Sequence, residues 1–490
     1  MSIQIPSNVS NTKPHFVLVP FMVQGRMIPM VDMARLLASH GAIVTLITTP
    51  ANAARIGLTI DKVKQSGLPV NFVCLRFPSM EVGLPDGSEN IDMLSSLDQV
   101  KNFIDAVCML RDPLILHLRA HKPPPTCIIS DSNHYWTRDV AEEFKIPRLL
   151  FNGFGCFSLL CIHKVREHKI EEKIVDENEP FVVPGLQTMV EITKAQMPGN
   201  FSMPGMDKHR EEIIANEMAS SSDGVVVNSF DDLETIYCEK YQNAIGKKVW
   251  TIGPLSLSNG DFGDIAARGN KASIDADRCL SWLDSMKPSS VVYVNFGSLA
   301  HTIPLQLIEI GLGLEASYCP FIWVIKDGER TSEVEEWLSE FEKRTRDRGL
   351  IIRGWAPQVL ILSHPAVGGF MTHCGWNSTL ESVSAGVPMI TWPHFAEQFL
   401  NEKLIVEVLR IGVPVGVKSP TVLGVTPSDV SVKKKCVEKA VRSLLEGEEA
   451  KDRRKRAKEI AEKARKTVKE GGSSYENLTQ LVQVMNARTA

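Results

Sequence analysis

Short apolar runs recur along the first half of the chain, each bounded by polar or turn-forming residues: HFVLVPF from His15, AIVTLITT from Ala42, VNFVCLRF from Val70, TCIISD from Thr126, RLLFNG from Arg148 and GVVVNS from Gly224. They are nearly continuous in Val, Ile, Leu and Phe rather than alternating, the pattern of strands buried on both faces. Helix-like text separates them, which predicts a parallel sheet covered by helices on both sides. A second series follows, with VVYVNFGS from Val291, FIWVIK from Phe321, LIIRGW from Leu350, AVGGFMTH from Ala366 and MITWP from Met389, and helical segments such as PLQLIEIGLGLEAS between them.

Between the two series, WTIGPLSLSNGDFGDIAARGNKAS from Trp250 is dense in Gly, Ser and Asp and reads as a linker. The expected fold class is therefore α/β, with two Rossmann-like domains whose parallel sheets face a cleft. The first spans 1–250, the second 251–473, and the amphipathic stretch YENLTQLVQVMNA within 474–490 is expected to pack back on the first. Ligands of such sheets bind beyond the carboxyl ends of the strands, so the chemistry is sought there.

Composition narrows the class. A chain of 490 residues, 43% hydrophobic and 23% charged with a net charge of -4, is an ordinary globular protein with no bulk attraction to nucleic acid or anionic membrane. The basic tract DRRKRAKEIAEKARKTVKE is interleaved with Glu and Ala and reads as a solvated helix face. Ten scattered cysteines without a CxxC pair fit a reducing compartment. The opening MSIQIPSNVSNTKPHF lacks a basic region followed by an apolar one, and no later segment offers about 18 uninterrupted apolar residues, so a cytoplasmic protein without a membrane span is expected.

The candidate chemistry begins with AVGGFMTHCGWNSTLESVSAG, which passes from a strand through a Gly turn into a helix opened by Asn377 or Ser378. Exposed N–H groups and the helix dipole make such a terminus a ready phosphate site. His373 could add a hydrogen bond to a phosphate, and Glu381, one turn into the helix, could accept from ribose hydroxyls.

The longer string from Trp355 to Gln398 is similar, almost position for position, to the signature box of plant family-1 UDP-dependent glycosyltransferases. The resemblance extends to both halves of the chain, including the PFMVQG opening. It implies a GT-B-like enzyme that transfers a sugar with inversion from its UDP ester, glucose by preference, to a hydroxyl of a small lipophilic acceptor such as a phenolic, terpenoid or steroidal metabolite. By the same resemblance Trp355 would stack on uracil, Ala356 would bind it through the backbone, and Gln358 and Glu381 would hold the ribose. His373, Asn377 and Ser378 would grip the diphosphate, with Ser298 beside it and Gly375 among the UDP-binding positions. Trp376, Glu397 and Gln398 would surround the donor sugar, and a Gln at position 398 matches the glucose pattern.

The UDP-sugar is a co-substrate, and no cofactor or metal is expected, because helix dipole and side chains would neutralise the leaving diphosphate. The pair Asp275 and Asp277 has the spacing of metal-dependent enzymes of another fold, but it precedes RCLSWLDSM and reads as two aspartates in a helix's first turn. A monomer is expected.

One departure from the family stands out. The resemblance implies a histidine base on the first Gly turn, oriented by an aspartate after a later strand. The aspartate matches Asp131, but in PFMVQGRMIPMVDMARLL the histidine's place is held by Arg26. Arginine has five donors, no acceptor and a pKa above about 12, so it removes no proton at neutral pH. Ile28-Pro29 reads as a helix start, where a cation opposes the dipole, so an anionic partner is expected and Asp131 could pair with Arg26 in bidentate fashion. The catalytic candidates are thus Arg26, Asp131 and His134, the last as a relocated base. Three readings remain: a base elsewhere, either His134 or a water held by Asp131; an acceptor acidic enough to need little help or carrying a carboxylate that Arg26 binds; or a weakly active or non-catalytic UDP-sugar binder.

Overall fold

Every apolar run named above becomes a strand in the computed structural model of the chain, which describes residues 13–94, 96, 98–198, 222–258, 262–421 and 429–487. Residues 1–12 of the opening segment, 259–261 of the linker and 488–490 of the stretch 474–490 lie outside the described residues. In chain order the strands are β1 (His15–Val19), β2 (Ile43–Thr48), β3 (Val70–Cys74), β4 (Cys127–Asp131), β5 (Arg148–Asn152), β6 (Pro180–Val182), β7 (Glu191–Thr193), β8 (Gly224–Val227), β9 (Val249–Thr251), β10 (Val291–Asn295), β11 (Phe321–Ile325), β12 (Gly349–Arg353), β13 (Val367–Thr372), β14 (Met389–Thr391) and β15 (Gly412–Pro414). The apolar pattern misses β6, β7, β9 and β15, each of three residues.

The chain divides into two compact units, one of Met1–Cys156, Ser202–Gly260 and Lys466–Ala490, the other of Phe157–Phe201 and Asp261–Arg465. The division after Gly260 lies beyond Trp250 because β9 pairs with β8 and extends the first sheet into the Gly- and Ser-rich stretch. Phe157–Phe201 groups with the second unit although it precedes the linker: Ser158 Oγ donates to Asn401 Oδ1 at 2.9 Å and Gln196 Nε2 to the Lys418 carbonyl at 2.7 Å.

In the first unit a parallel sheet runs in the order β3-β2-β1-β4-β5-β8-β9. Its core joins Phe16, Leu18, Ile129 and Phe151 from the strands to Met27, Met30 and Leu37 of the helix Gln24–Ser39. Leu478, Leu481 and Met485 of the helix Ser473–Ala487 enter the same core. That helix is fastened to the end of β9, with Asn477 Nδ2 donating to the Thr251 carbonyl at 3.1 Å and Ser474 Oγ to the Gly253 carbonyl at 2.6 Å.

The helix Gln24–Ser39 starts before the Ile28-Pro29 position read from the sequence. The N–H groups of Arg26 and Met27 already bond the Val23 carbonyl, at 2.9 and 3.0 Å, and Pro29 rides inside the helix, where it forgoes only its own bond toward Gly25. Arg26 therefore lies in the first turn itself.

The second unit holds a parallel sheet in the order β12-β11-β10-β13-β14-β15 and a β6–β7 hairpin. The helix Pro304–Ser317 packs closely on the helix Lys434–Leu445; a Cβ on Gly313 would come within 2.5 Å of Val437. In both sheets the strand order reverses beside the first strand, between β1 and β4 and between β10 and β13. These two switch points are where such folds leave room for ligands. Among the described residues no helix is long and apolar enough to cross a membrane, and all ten cysteines are free thiols.

Candidate active site

At the switch point of the second unit, β13 ends at Thr372 and the chain turns through His373, Cys374 (φ +63°) and Gly375 into the helix Trp376–Ala385. The helix opens one residue earlier than Asn377 and is capped by Gly375, whose carbonyl accepts from Thr379 N–H at 3.0 Å. Asn377 and Ser378 are thus its second and third residues, still within the turn whose N–H groups lack helical partners. Two glycines make room for the His373 ring: a Cβ on Gly375 would meet Nε2 at 2.3 Å, and one on Gly297 (φ +73°) would meet Cε1 at 2.6 Å. Enclosure of the ring, reinforced by the charge of Lys326, lowers the His373 pKa to about 3. Without a ligand the ring is neutral and can offer a phosphate oxygen one N–H.

Behind this turn the polar side chains form one connected network. Asn295 Nδ2, at the end of β10, donates to Gln358 Oε1 at 2.8 Å. Gln358 Nε2 donates to Ser378 Oγ at 3.0 Å and to Glu381 Oε2 at 2.8 Å. The other oxygen of Glu381 pairs with Arg268, both side chains being at least nine-tenths buried. Gln358 spends its whole amide on protein partners and so orients Ser378 and Glu381. Trp355, half-buried, is held by reciprocal bonds with Ser273: its N–H donates to Ser273 Oγ at 2.9 Å and its carbonyl accepts from Ser273 N–H at 2.8 Å. Ala356 is buried, its carbonyl accepting from Gln358 N–H at 2.8 Å, and Ser298 follows Gly297, half-buried.

The three residues assigned to the sugar are all buried. Asn401 Nδ2 donates to Glu397 Oε1 at 3.3 Å and to the Cys374 carbonyl at 2.8 Å, tying the two turns together. Gln398 Oε1 accepts from the N–H groups of His394 and Phe395, at 2.8 and 3.1 Å, and so shapes the loop in which Ala396 takes φ +53°. Asp275 is the N-cap of the helix Ala276–Asp284, accepting from Arg278 N–H at 3.0 Å. Its carboxylate is used by the cap.

The first unit's switch point is built differently. Arg26 Nε lies 3.6 Å from Asp131 Oδ2 at the end of β4, and among the described residues that oxygen accepts no hydrogen bond and Arg26 Nη1 donates none. The bidentate pair read from the sequence is thus replaced by a single ionic contact. The reason is local: Asp131 Oδ1 accepts from Asn133 N–H and Nδ2 at 2.9 and 2.8 Å, which sets the carboxylate's orientation. The guanidinium meanwhile lies 5.0 Å over the Phe154 ring and against Gly153, where a Cβ would fall 1.7 Å from Nη1.

His134 is also placed differently from the open loop exit expected of a relocated base. Its side chain is fully buried, with Nε2 3.0 Å from the Pro20 carbonyl and the ring packed against Phe21 and Trp136. Burial lowers its pKa, against the opposing pull of Asp131. It is a packed core histidine.

Two family models cover most of the chain: one described as glycosyltransferase, N-terminal domain matches residues 14–257, and one described as UDP-glucoronosyl and UDP-glucosyl transferase matches 242–426. The chain is 49% identical over 475 residues to UDP-glycosyltransferase 73C6 of Arabidopsis thaliana, spanning 96% of each chain. The chain belongs to the plant family-1 UDP-glycosyltransferases. This glycosyltransferase is also 50% identical over 482 residues to UDP-glycosyltransferase 73E1 of Stevia rebaudiana, with 96% of each chain covered. Its fold matches that of Glycyrrhiza uralensis UGT73P12, solved with glycyrrhetinic acid 3-O-monoglucuronide, at a TM-score of 0.89 and 38% identity over 98% of this chain and 96% of that one. Arabidopsis thaliana UGT89C1 complexed with UDP-L-rhamnose matches at a TM-score of 0.73 and 30% identity, over 97% and 100% of the two chains. The glycosyltransferase is accordingly a GT-B enzyme that uses a UDP-sugar.

Sequence reasoning on this glycosyltransferase missed Arg268, Ser273, Asn295 and Asn401. Asn295 sits in VNFGS, three residues before Ser298, and adjacency could have found it. Arg268 and Ser273 lie in the linker-like stretch, where nothing in the local pattern marks a partner more than eighty residues away.

Proposed function

We propose that this glycosyltransferase moves glucose from UDP-glucose to an oxygen of a small lipophilic plant metabolite, with inversion at the anomeric carbon. It acts as a cytoplasmic monomer without a metal. The observation that carries the donor half is the network from Asn295 through Gln358 to Ser378 and Glu381. It fixes Ser378 and Glu381 in the first turns of the helix that follows the enclosed His373, a set suited to ribose hydroxyls, through the remaining lone pairs of Glu381, and to a diphosphate. Trp355 would stack on uracil, with the backbone of Ala356 beside it. Ser298, Asn377 and Ser378 would meet the diphosphate, whose charge the helix dipole offsets in place of a metal.

Trp376, Glu397 and Gln398 would enclose the sugar. The preference for glucose rests on Gln398, which matches the glucose pattern of the family and whose side chain is fixed in place by the His394 and Phe395 N–H groups. That UGT73P12 was solved with glycyrrhetinic acid 3-O-monoglucuronide supports a small organic acceptor. Incubation with UDP-glucose, UDP-galactose and an acceptor panel, with and without a chelator, tests the reading. Transfer from UDP-glucose that survives the chelator is the expected result, and UDP binding without turnover on any acceptor would return the protein to the non-catalytic class.

A further inference from the structure

Among the described residues Arg26, Asp131 and His134 bring charged or titratable side chains to the β1/β4 switch point, and their exposure decides what a ligand can meet of them. The side chains of Asp131 and His134 are 0% exposed, whereas that of Arg26 keeps 15% of its surface open. The carboxylate is closed off by Asn133 and the guanidinium, and the imidazole by Pro20, Phe21 and Trp136. What remains reachable is a cation with donors and no acceptor. It stands in the first turn of a sixteen-residue helix, whose dipole adds to the same positive potential. Arg26 is held there by three contacts, to Asp131, to the Phe154 ring and to Gly153.

A site of this composition cannot take a proton from a neutral alcohol. It can hold an oxygen that is already negative. We propose that the acceptors of this enzyme are ones whose attacking oxygen is ionised before it binds, lipophilic carboxylic acids above all and acidic phenols by the same chemistry, with Arg26 holding the anion. The inference rests on the glycosyl-transfer reading above and names its substrate class. In the step itself the carboxylate oxygen forms the bond to the anomeric carbon while that carbon's bond to the β-phosphate oxygen breaks. The bonding pair leaves with UDP, no proton moves, and the product is a glucose ester.

A matched acceptor series at neutral pH tests this: an aryl carboxylic acid, 4-nitrophenol, phenol and the corresponding benzylic alcohol, each with UDP-glucose, on the wild type and on Arg26→Gln, Arg26→Lys and Arg26→His. UDP affinity is measured in parallel. The wild type is expected to favour the acid and the acidic phenol over the alcohol by at least about 100-fold in kcat/KM, the span a missing general base leaves. Arg26→Gln should lower kcat/KM for the acid by about tenfold or more with UDP affinity unchanged, and Arg26→Lys should retain part of it. Arg26→His should raise transfer to phenol and the alcohol at the expense of the acid. Wild-type transfer to the alcohol as fast as to the acid, or an Arg26→Gln enzyme equal to the wild type on the acid, would overturn the inference while leaving glycosyl transfer standing. Absence of transfer to every acceptor would overturn both.

Discussion

The two switch points of this glycosyltransferase share a plan and differ in how their charges are treated. In the second unit Glu381 is bonded through both oxygens, to Arg268 and to Gln358, and Gln358 is in turn held by Asn295. In the first unit Arg26 and Asp131 sit 3.6 Å apart without a hydrogen bond, and neither Arg26 Nη1 nor Asp131 Oδ2 has a hydrogen-bond partner among the described residues. A buried charge left partly unsatisfied costs stability, so it persists where the fold has another use for it. The contrast separates a polar network closed on itself in the second unit from an ion pair in the first whose hydrogen-bonding capacity is only partly used.

The sharpest way to break the contrast is to remove one arginine from each site. Arg268→Ala removes both the counter-charge of the buried Glu381 and a charge-assisted hydrogen bond to it and is expected to destabilise the protein by about 3 kcal/mol, whereas Arg26→Ala removes an ionic contact without a hydrogen bond from Asp131, whose carboxylate keeps its two bonds from Asn133, and should cost less, about 2 kcal/mol. Denaturant midpoints of the two variants decide it, and equal losses would erase the distinction drawn between the sites.

Next in size is the room made for His373. Gly375→Ala, at an unstrained φ of −59°, adds only a methyl that must displace the ring, and a shift of about 1 Å in such a group is expected to lower kcat/KM about 100-fold with the fold retained. Circular dichroism and initial rates on UDP-glucose together test this; full activity would mean that His373 is not where the donor binds. Trp355→Ala and His373→Ala should each weaken UDP binding by about 1 to 3 kcal/mol, through lost stacking and a lost phosphate contact. Titration calorimetry showing wild-type affinity in both would remove the donor assignment.

The smallest effect concerns pH. His373 and His394, both lowered to about 3 by burial, stay neutral in the folded protein, while their unfolded counterparts take up protons below about 6.5. Their contribution is complete above that value and is lost on acidification. Glu402, raised to about 7 by burial, acts the other way, stabilising most below its unfolded value of 4.5 and losing that contribution as pH rises through 7. Between about pH 4.5 and 6.5 two histidines oppose one glutamate, so these three groups together make stability fall by about 1.4 kcal/mol for each unit of acidification, and the buried His134, lowered too, acts in the same direction. Thermal midpoints across that range test the sign, and a rise on acidification would contradict it.

Much of this molecule was legible without coordinates. Short continuous runs rich in branched and aromatic residues, such as FIWVI and HFVLV, repeated at helix-length spacing, point to strands buried on both faces, so both parallel sheets were readable from local composition and spacing. The turn from His373 to Ser378 was likewise readable because its residues are neighbours in the chain, and Arg26 was already conspicuous as a residue unable to act as a base. The start of the helix bearing Arg26 was misplaced because proline is a strong local signal, and the hydrogen bonds to Val23 that override it form only in the folded turn. What tertiary structure alone decided is accessibility and pairing. Whether His134 is an open base or a packed core side chain, whether Arg26 grips Asp131 by two hydrogen bonds or one ionic contact, and that Arg268 should meet Glu381, all depend on contacts between segments distant in sequence. Local pattern encodes which face of an element is buried, but not which polar atom from another element will be waiting there.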